Sequence, residues 1–408
     1  MKISNLREQA ESISFRQLKL FESVGRLGSV RRGSEECNLS QPAVTQALGK
    51  LEQQVGVTLL ERRASGSFLT KDGEIFQVRV QRFFSQLENA ILDFGVGGSS
   101  AGAASIANRI SRSQVRSLLA IIEHRSFAFA AENLSLTQAS LQRAARDLEG
   151  NLRKTVFHRT ASGIIVTPDG VEFGRRIKLA TQEIEWAIRE IETSKGVHDT
   201  MLVIGALPFG GSMLLASLLD EFIAAHPKAD VRIITESASE MQKRLRFGDV
   251  DLVIGIVQET AAKDLANVPF AVTPFRVVAR SGHPLANKSN VTLQDLARYD
   301  WIVGMEGASR RACFDKMFEG QSIPKSPVAT SALPVIRHLI VGSDRLTLMT
   351  SYELEHESDA LVAIPFGSIS TSPTVGVTMR ADWLPTKMHE DFVELARATI
   401  SKPMAQAA

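Results

Sequence analysis

A chain of 408 residues, 44% hydrophobic and 23% charged, is too long for one small domain and fits roughly two to four. Its composition excludes the disordered and fibrous classes. The net charge of +2 divides unevenly: residues 1–196 hold 27 Lys and Arg against 21 Asp and Glu, and residues 197–408 hold 20 against 24. The N-terminal half therefore suits a polyanionic partner, although two ordinary domains with chance differences would give the same figures.

The first residues, MKISNLREQAESISFRQ, are charged throughout and have no apolar core of a signal peptide. No stretch reaches the roughly 18–20 apolar residues of a membrane span, so a cytoplasmic protein without membrane contact is expected. Cys37 and Cys313 are the two cysteines, too few and too far apart for a disulfide framework or a set of metal ligands.

Sliding the sequence against itself gives a gapless match at an offset of 97, with 22 identities in the 78 positions of 14–91 against 111–188. Leu39-Ser40-Gln41 falls on Leu136-Thr137-Gln138, Leu51-Glu52 on Leu148-Glu149, and Thr70-x-Asp72-Gly73 on Thr167-x-Asp169-Gly170. Each copy reads as three short helices, a tight hairpin and a longer helix. In copy two Phe127, Ala130, Ala131 and Leu134 make one apolar stripe behind Ser126, a capping residue. The next helix opens at Ser40 or Thr137, both N-cap types, with Pro42 in the first turn, where its missing N–H is harmless.

Val44, Leu48 and Leu51 face inward there, as do Leu141, Ala144, Ala145 and Leu148. Left outside are Gln41, Thr45, Gln46 and Lys50 in one copy and Gln138, Gln142, Arg143 and Arg146 in the other. Amide, hydroxyl and cation are the groups that read base edges and phosphates in a major groove, and a solvated face is the competing explanation. Glu61-Arg62-Arg63 and His158-Arg159-Thr160 each precede a Gly-containing turn, as the basic wing of a winged helix would.

On these residues the chain resembles the LysR-type transcriptional regulators. Phe15-x-Gln17-Leu18-x-x-Phe21, Leu39-Ser40-Gln41-Pro42-Ala43-Val44-Thr45, Gly56-Val57-x-Leu59-Leu60-x-Arg62 and Leu69-Thr70-x-x-Gly73 carry the likeness. The resemblance implies that Gln41, Pro42, Ala43, Thr45 and Gln46 face the DNA groove. The expected DNA-binding set is Ser40, Gln41, Pro42, Ala43, Thr45, Gln46, Lys50, Arg62 and Arg63, with Thr137, Gln138, Gln142, Arg143, Arg146 and Arg159 from copy two. Both copies depart from the family pattern. Copy one has Gly33-Ser34 where the family has an Ala pair, and a helical Gly costs about 1 kcal/mol relative to Ala, which predicts a weakened scaffold helix. Copy two lacks the Pro and has Arg153-Lys154-Thr155 in place of Gly-Val-Pro.

Between the copies GVGGSSAGAASIAN is nearly uncharged and reads as a linker, flexible or at most weakly helical. The helix ahead of it, around 74–94, should pack on its own winged unit or on a partner chain. After copy two, Ile177, Ala180, Ile184, Ala187, Ile188 and Ile191 form a seam at coiled-coil spacing. The resemblance implies a dimerisation helix, and a core helix of copy two is the alternative.

From Met201 strands alternate with helices, the pattern of a mostly parallel sheet, in an order that resembles the effector domain of the same family. Ligands in open α/β sheets lie beyond the carboxyl ends of strands, near helix starts. The effector-site expectation is therefore Pro208, Phe209, Gly210, Ser212, Ser237 and Ser239 from one lobe and Met305, Gly307, Ser309 and Thr350 from the other, each of which could equally be a plain turn residue. Arg310-Arg311 reads as an exposed charge pair or a carboxylate site, Cys313 as a core thiol or a redox sensor, and Trp301 as core.

There is no GxSxG, P-loop or HExxH motif, and the eight His are scattered, so no catalytic residue, metal or cofactor is expected. The expected fold is multidomain: two all-α winged helix-turn-helix domains and an α/β two-lobed, periplasmic-binding-protein-like effector domain. The expected boundaries are 13–94, a flexible linker at 95–109, 110–196 and 197–403. The function implied is a sequence-specific regulator binding double-stranded promoter DNA under control of a small-molecule effector, as a homodimer or homotetramer, with RNA polymerase as a further partner. A regulator in which one winged unit is only a spacer or protein contact, and a cytoplasmic solute-binding module, are the alternatives.

Overall fold

The computed structural model describes residues 3–401 except 65, 161–162, 197–200, 208–209, 258–261, 356, 358, 368 and 370, and divides into two compact units, Met1–Asp199 and Thr200–Ala408. In the first unit α1 (Ile3–Ser12), α2 (Phe15–Leu27), α3 (Val30–Glu36) and α4 (Gln41–Val55) lead to a hairpin of β1 (Leu60–Arg63) and β2 (Gly66–Leu69), then to the long α5 (Lys71–Asp93). The same order follows with α6 (Ser100–Ala107), α7 (Arg112–His124), α8 (Phe127–Asn133), α9 (Gln138–Leu152), β3 (Phe157–Thr160), β4 (Gly163–Val166) and α10 (Pro168–Ser194). The hairpin registers obey the 97-residue offset, with Leu60 opposite Leu69 and Phe157 opposite Val166.

The repeat begins earlier than the sequence match does, because α6 stands to α1 as α7 stands to α2. Leu6, Ala10 and Ile13 are buried, and so are Ala103, Ala107 and Ile110 at the same offset. Residues 95–109 are therefore not a flexible linker. Ser99 caps α6 by accepting from the Gly102 N–H at 3.2 Å, three of its residues reach the core, and the helix packs along α5. Low charge and small side chains, which resemble a linker's composition, here allow close helix packing.

The shared motifs have local causes. Thr70 and Thr167 cap α5 and α10, each accepting from a Gly N–H at 2.9 Å. Glu52 accepts from the backbone N–H groups of Leu59 and Leu60, and Glu149 from those of Val156 and Phe157. That bond fixes each hairpin to the end of the helix before it, which is why the Leu-Glu pair recurs. Gly33 is not simply a weak point: a Cβ there would lie 2.5 Å from Cγ2 of Val24, so the glycine lets α3 approach α2 closely.

α5 and α10 run antiparallel, joining Asp72 to Ser194 at one end and Asp93 to Arg176 at the other. The expected dimerisation seam is buried here: Ile177, Ala180, Ile184, Ala187, Ile188 and Ile191 are at most 1% exposed. It packs against Val80, Phe83, Leu87, Ala90 and Ile91 in one core, and Phe94 stacks on Phe173 at 4.7 Å. Each fully buried Ile contributes on the order of 1.5–3 kcal/mol. Within this chain the seam is covered by α5, so it does not serve copy two alone; it joins the copies.

The second unit holds two five-stranded sheets. One has the order β6-β5-β7-β14-β8, from β5 (Met201–Ala206), β6 (Asp230–Thr235), β7 (Leu252–Ile256), β8 (Leu265–Val272) and β14 (Thr374–Arg380). The other has the order β11-β10-β12-β9-β13, from β9 (Phe275–Arg280), β10 (Trp301–Val303), β11 (Val328–Ala329), β12 (Leu346–Thr350) and β13 (Leu361–Ala363). Helices α11 (Gly210–Ala225), α12 (Ala238–Arg246) and α17 (Lys387–Ile400) accompany the first sheet. α13 (Leu293–Leu296), α14 (Ser309–Met317), α15 (Leu333–Val341) and α16 (Ser351–Glu355) accompany the second. The chain crosses between sheets after β8 and again before β14, and Thr273 N–H donates to Pro373 O at 2.8 Å where the crossings meet.

Candidate nucleic-acid interface and effector cleft

α4 and α9 start alike. Ser40 accepts from Ala43 N–H at 3.4 Å and Thr137 from Ser140 N–H at 3.2 Å, with Pro42 in the first turn of α4 only. The apolar stripes Val44, Leu48, Leu51 and Leu141, Ala145, Leu148 are buried, which turns the other face of each helix to solvent. Ser40, Gln41, Pro42, Gln46 and Lys50 are exposed and Ala43 and Thr45 half-buried; Thr137, Gln138, Arg143 and Arg146 are exposed and Gln142 half-buried. Ala144, expected inside, is half-buried.

The turns before these helices contain Asn38 and Ser135 at φ 51° and 54°, a left-handed conformation that bends the chain sharply between the two helices. In the first hairpin Arg63 donates to Glu61 at 2.9 Å and lies 5.4 Å from the Phe68 ring centre, so this cation is oriented while still exposed. The side chains of Arg62 and Arg159 lie outside the described residues.

In the second unit the expected effector residues lie at or follow the carboxyl ends of strands in two different sheets, β5 and β6 in one and β10 and β12 in the other. Ser237, exposed, caps α12 by accepting from Glu240 N–H at 3.3 Å and lies 3.2 Å from Ser239 Oγ. Met305 and Ser309 are exposed between β10 and α14, with Gly307 at φ 80°. Gly210 opens α11; Pro208 and Phe209 lie outside the described residues, as does the Ser212 side chain. Thr350 departs from expectation. It is buried, its hydroxyl accepts from Glu353 N–H at 3.2 Å, and its own N–H donates to the Glu353 carboxylate at 2.8 Å, so the side chain is occupied in capping α16.

Arg310 and Arg311 are not an exposed pair. Arg310 is buried and holds both Glu353 oxygens at 2.9 and 3.0 Å, while Arg311 bonds Asp315 one turn along its own helix. A buried charge needs a partner, and Glu353 takes the capacity a carboxylate ligand would use. Trp301 is core, donating to Leu296 O at 3.0 Å. Cys313 is buried, and burial pushes its thiol up to about 11, the environment of an inert core thiol.

A small, partly open cleft lies between α12 and its sheet, lined by Leu207, Met241, Leu245, Val253, Asn267 and Thr378 among others. Thr378 donates to Asn267 at 2.8 Å. Neither residue was signalled by sequence, because β8 and β14 are neighbours only after the chain has passed through the other sheet.

Helix-turn-helix elements with exposed polar faces, followed by an α/β domain of two sheets, define a DNA-binding regulator of transcription. The lysR-family model of bacterial regulatory helix-turn-helix proteins matches residues 15–74 and again 113–171, and the LysR substrate binding domain matches 195–401. The chain belongs to the LysR family of transcriptional regulators, a family of regulators rather than enzymes. It is 30% identical over 375 residues to the HTH-type transcriptional regulator GalR of Pseudomonas putida, covering 90% of this chain and 92% of that one. It is 24% identical to the uncharacterized regulator YdcI of Escherichia coli, over 68% of this chain and 91% of that one. Full-length OxyR C199D from Pseudomonas aeruginosa shares the fold, with a TM-score of 0.54 at 20% identity, over 72% of this chain and 98% of that structure. Among the described residues no helix is long and apolar enough to cross a membrane.

Proposed function

We propose that both repeats are winged helix-turn-helix heads and that the chain acts in the cytoplasm on double-stranded promoter DNA. In this reading α4 reads base edges through Gln41, Thr45 and Gln46, and α9 contacts mainly phosphates through Arg143 and Arg146, helped by the basic wings. The observation that carries it is the exposed faces of α4 and α9, where Gln41, Gln46, Lys50, Gln138 and Arg143 project with no hydrogen bond to another described side chain. Such polar side chains are available to base edges and phosphates.

The second unit is a periplasmic-binding-protein-like pair of lobes taking a small effector at the strand ends carrying Ser237, Ser239, Met305 and Ser309. Differential binding of that effector to two states of the protein would bias DNA binding. Assembly to a homodimer or homotetramer, and contact with RNA polymerase, complete the proposal. Footprinting on promoter DNA at physiological salt tests it. Gln41→Ala with Thr45→Ala, and separately Gln142→Ala with Arg143→Ala, should each weaken protection; an unchanged footprint for one variant assigns that head to a spacer role, and no specific protection by the unmodified protein overturns the reading.

A further inference from the structure

We propose that the first unit is a two-headed DNA reader completed within one chain, an internal pseudo-dimer whose heads face two unlike half-sites. This rests on the DNA-binding reading above and extends it to how the heads are paired.

The pairing is two-fold in detail. Adding 97 to Arg79 gives Arg176, and adding 97 to Asp93 gives Glu190. Arg79 bonds Glu190 at 2.6 Å and Arg176 bonds Asp93, so the two ion pairs are copies of one contact related by exchange of the repeats. Gln86 and Glu183 are themselves equivalent, and they bond each other at 2.9 Å, as residues on the axis must. The flanking helices obey the same exchange: α1 packs on α10 and α6 packs on α5. The Gln54 amide donates to Ser12 O and accepts from the Gln17 amide, and its equivalent Asn151 donates to both Arg109 O and Gln114, so the same partners recur with one bond reversed. A two-fold that exchanges α5 with α10 also exchanges α4 with α9, since each recognition helix is fixed to its own repeat. DNA has the same local symmetry, and readers with two-fold symmetry occupy paired half-sites.

Several bonds between the repeats lack a symmetry copy, among them Arg79 to Glu183, Arg82 to Glu183 and Ser194 to Asp72, and two involve cations that copy two alone carries. Lys154 donates to Phe94 O at the end of α5 and lies 4.2 Å from the Phe94 ring centre; its equivalent in copy one is Val57. Arg112 donates to Ile13 O at 2.6 Å and lies 5.1 Å from the Phe15 ring centre; Phe15 is its own equivalent position. The repeats thus fit each other better than either would fit itself. The α10 seam is consumed within the chain, leaving no apolar stripe there for a second chain's helix.

The outward faces also differ in register: Gln41 matches Gln138, but Thr45 matches Gln142, Gln46 matches Arg143, and Lys50 matches Asp147. One chain therefore selects an imperfect inverted repeat rather than a palindrome.

The test uses the full chain with Cys37→Ser, Asp93→Cys and Arg176→Cys, closed by a short bis-maleimide; Cys313 is buried. The DNA probe is the fragment that the unmodified chain itself selects from a random-sequence library. The expected product runs at monomer mass and binds that probe within about threefold of the uncrosslinked variant, one chain protecting both halves of an imperfect repeat. A covalent dimer as the main product would show that the helices pair between chains and overturn the inference, as would protection of one half-site per monomer-locked chain. If the variant fails to fold, carbodiimide coupling of Lys195 to Asp72, 3.9 Å apart in the unmodified chain, gives the same readout from the mass of the band carrying the joined peptide. Monomer-mass crosslinks in a chain that selects no DNA would sink the DNA-binding reading and this inference's reader role while leaving the pairing itself established.

Discussion

Arg79 and Arg176 occupy equivalent positions in the two repeats, and each holds a carboxylate on the long helix of the other. Arg79 is fully buried between Glu183 at 2.7 Å and Glu190 at 2.6 Å, whereas Arg176 is partly exposed beside Asp93. Removing one partner from a buried pair strands the other charge, at about 3–5 kcal/mol, while an exposed pair is worth about 0–1 kcal/mol. Arg79→Ala should therefore lower the urea midpoint of the first unit sharply and Arg176→Ala only slightly, read by circular dichroism on the full chain. Equal effects would show that the Arg79 network is solvated.

Arg125 and Arg153 take the left-handed conformation, at φ 50° and 52°, where copy one has Gly28 and Gly56 at 65° and 79°. A non-glycine residue is held there at a cost of roughly 1 kcal/mol. Arg125→Gly and Arg153→Gly should each stabilise the chain by up to about that amount in urea unfolding. A loss of stability in both would mean that their side chains make compensating contacts.

Gly33→Ala has two opposed effects: a helix-propensity gain of about 1 kcal/mol and overpacking against Val24, which typically costs about 1–3 kcal/mol. With the new Cβ 2.5 Å from a β-branched side chain, overpacking should prevail and the melting temperature fall. A rise would show that α3 can move away from α2 freely.

The two recognition helices should differ in salt dependence. Each phosphate contact contributes about 0.9 to the slope of log K against log salt. Arg143→Ala with Arg146→Ala should reduce that slope by up to about 2 and weaken all sequences alike. Gln41→Ala should leave the slope in place and relax the choice at one base pair by roughly 1–3 kcal/mol. Slopes that respond in the opposite order would exchange the roles assigned to α4 and α9.

Cys313 should be nearly silent to thiol reagents in the folded chain. Its thiol is shifted from 9.0 to about 11, so at pH 8 the reactive thiolate is about 100-fold scarcer than for an unshifted group, and its share rises with pH toward 11. Half-buried Cys37 should be labelled first, with Cys313 following only on unfolding; prompt labelling of both at pH 8 would contradict a core position.

Much of this was legible beforehand. The 97-residue repeat, the caps Ser40 and Thr137, the inward stripes and the strand-end positions of Ser237 and Ser309 follow from spacing and residue type, which act locally. Thr350 and Arg310 were misjudged because their partner, Glu353, lies on α16, and α6 was missed because Ala and Ser carry little periodic signal.

The sequence alone determined that two copies of one helical unit precede an α/β domain, and which faces of α4 and α9 are polar, since local propensity and amphipathic period encode both. Only the tertiary structure decided what the α10 seam is for. An apolar stripe records that something must cover it but not what does, and in this chain the cover is α5, with Arg79 held between Glu183 and Glu190 across the join.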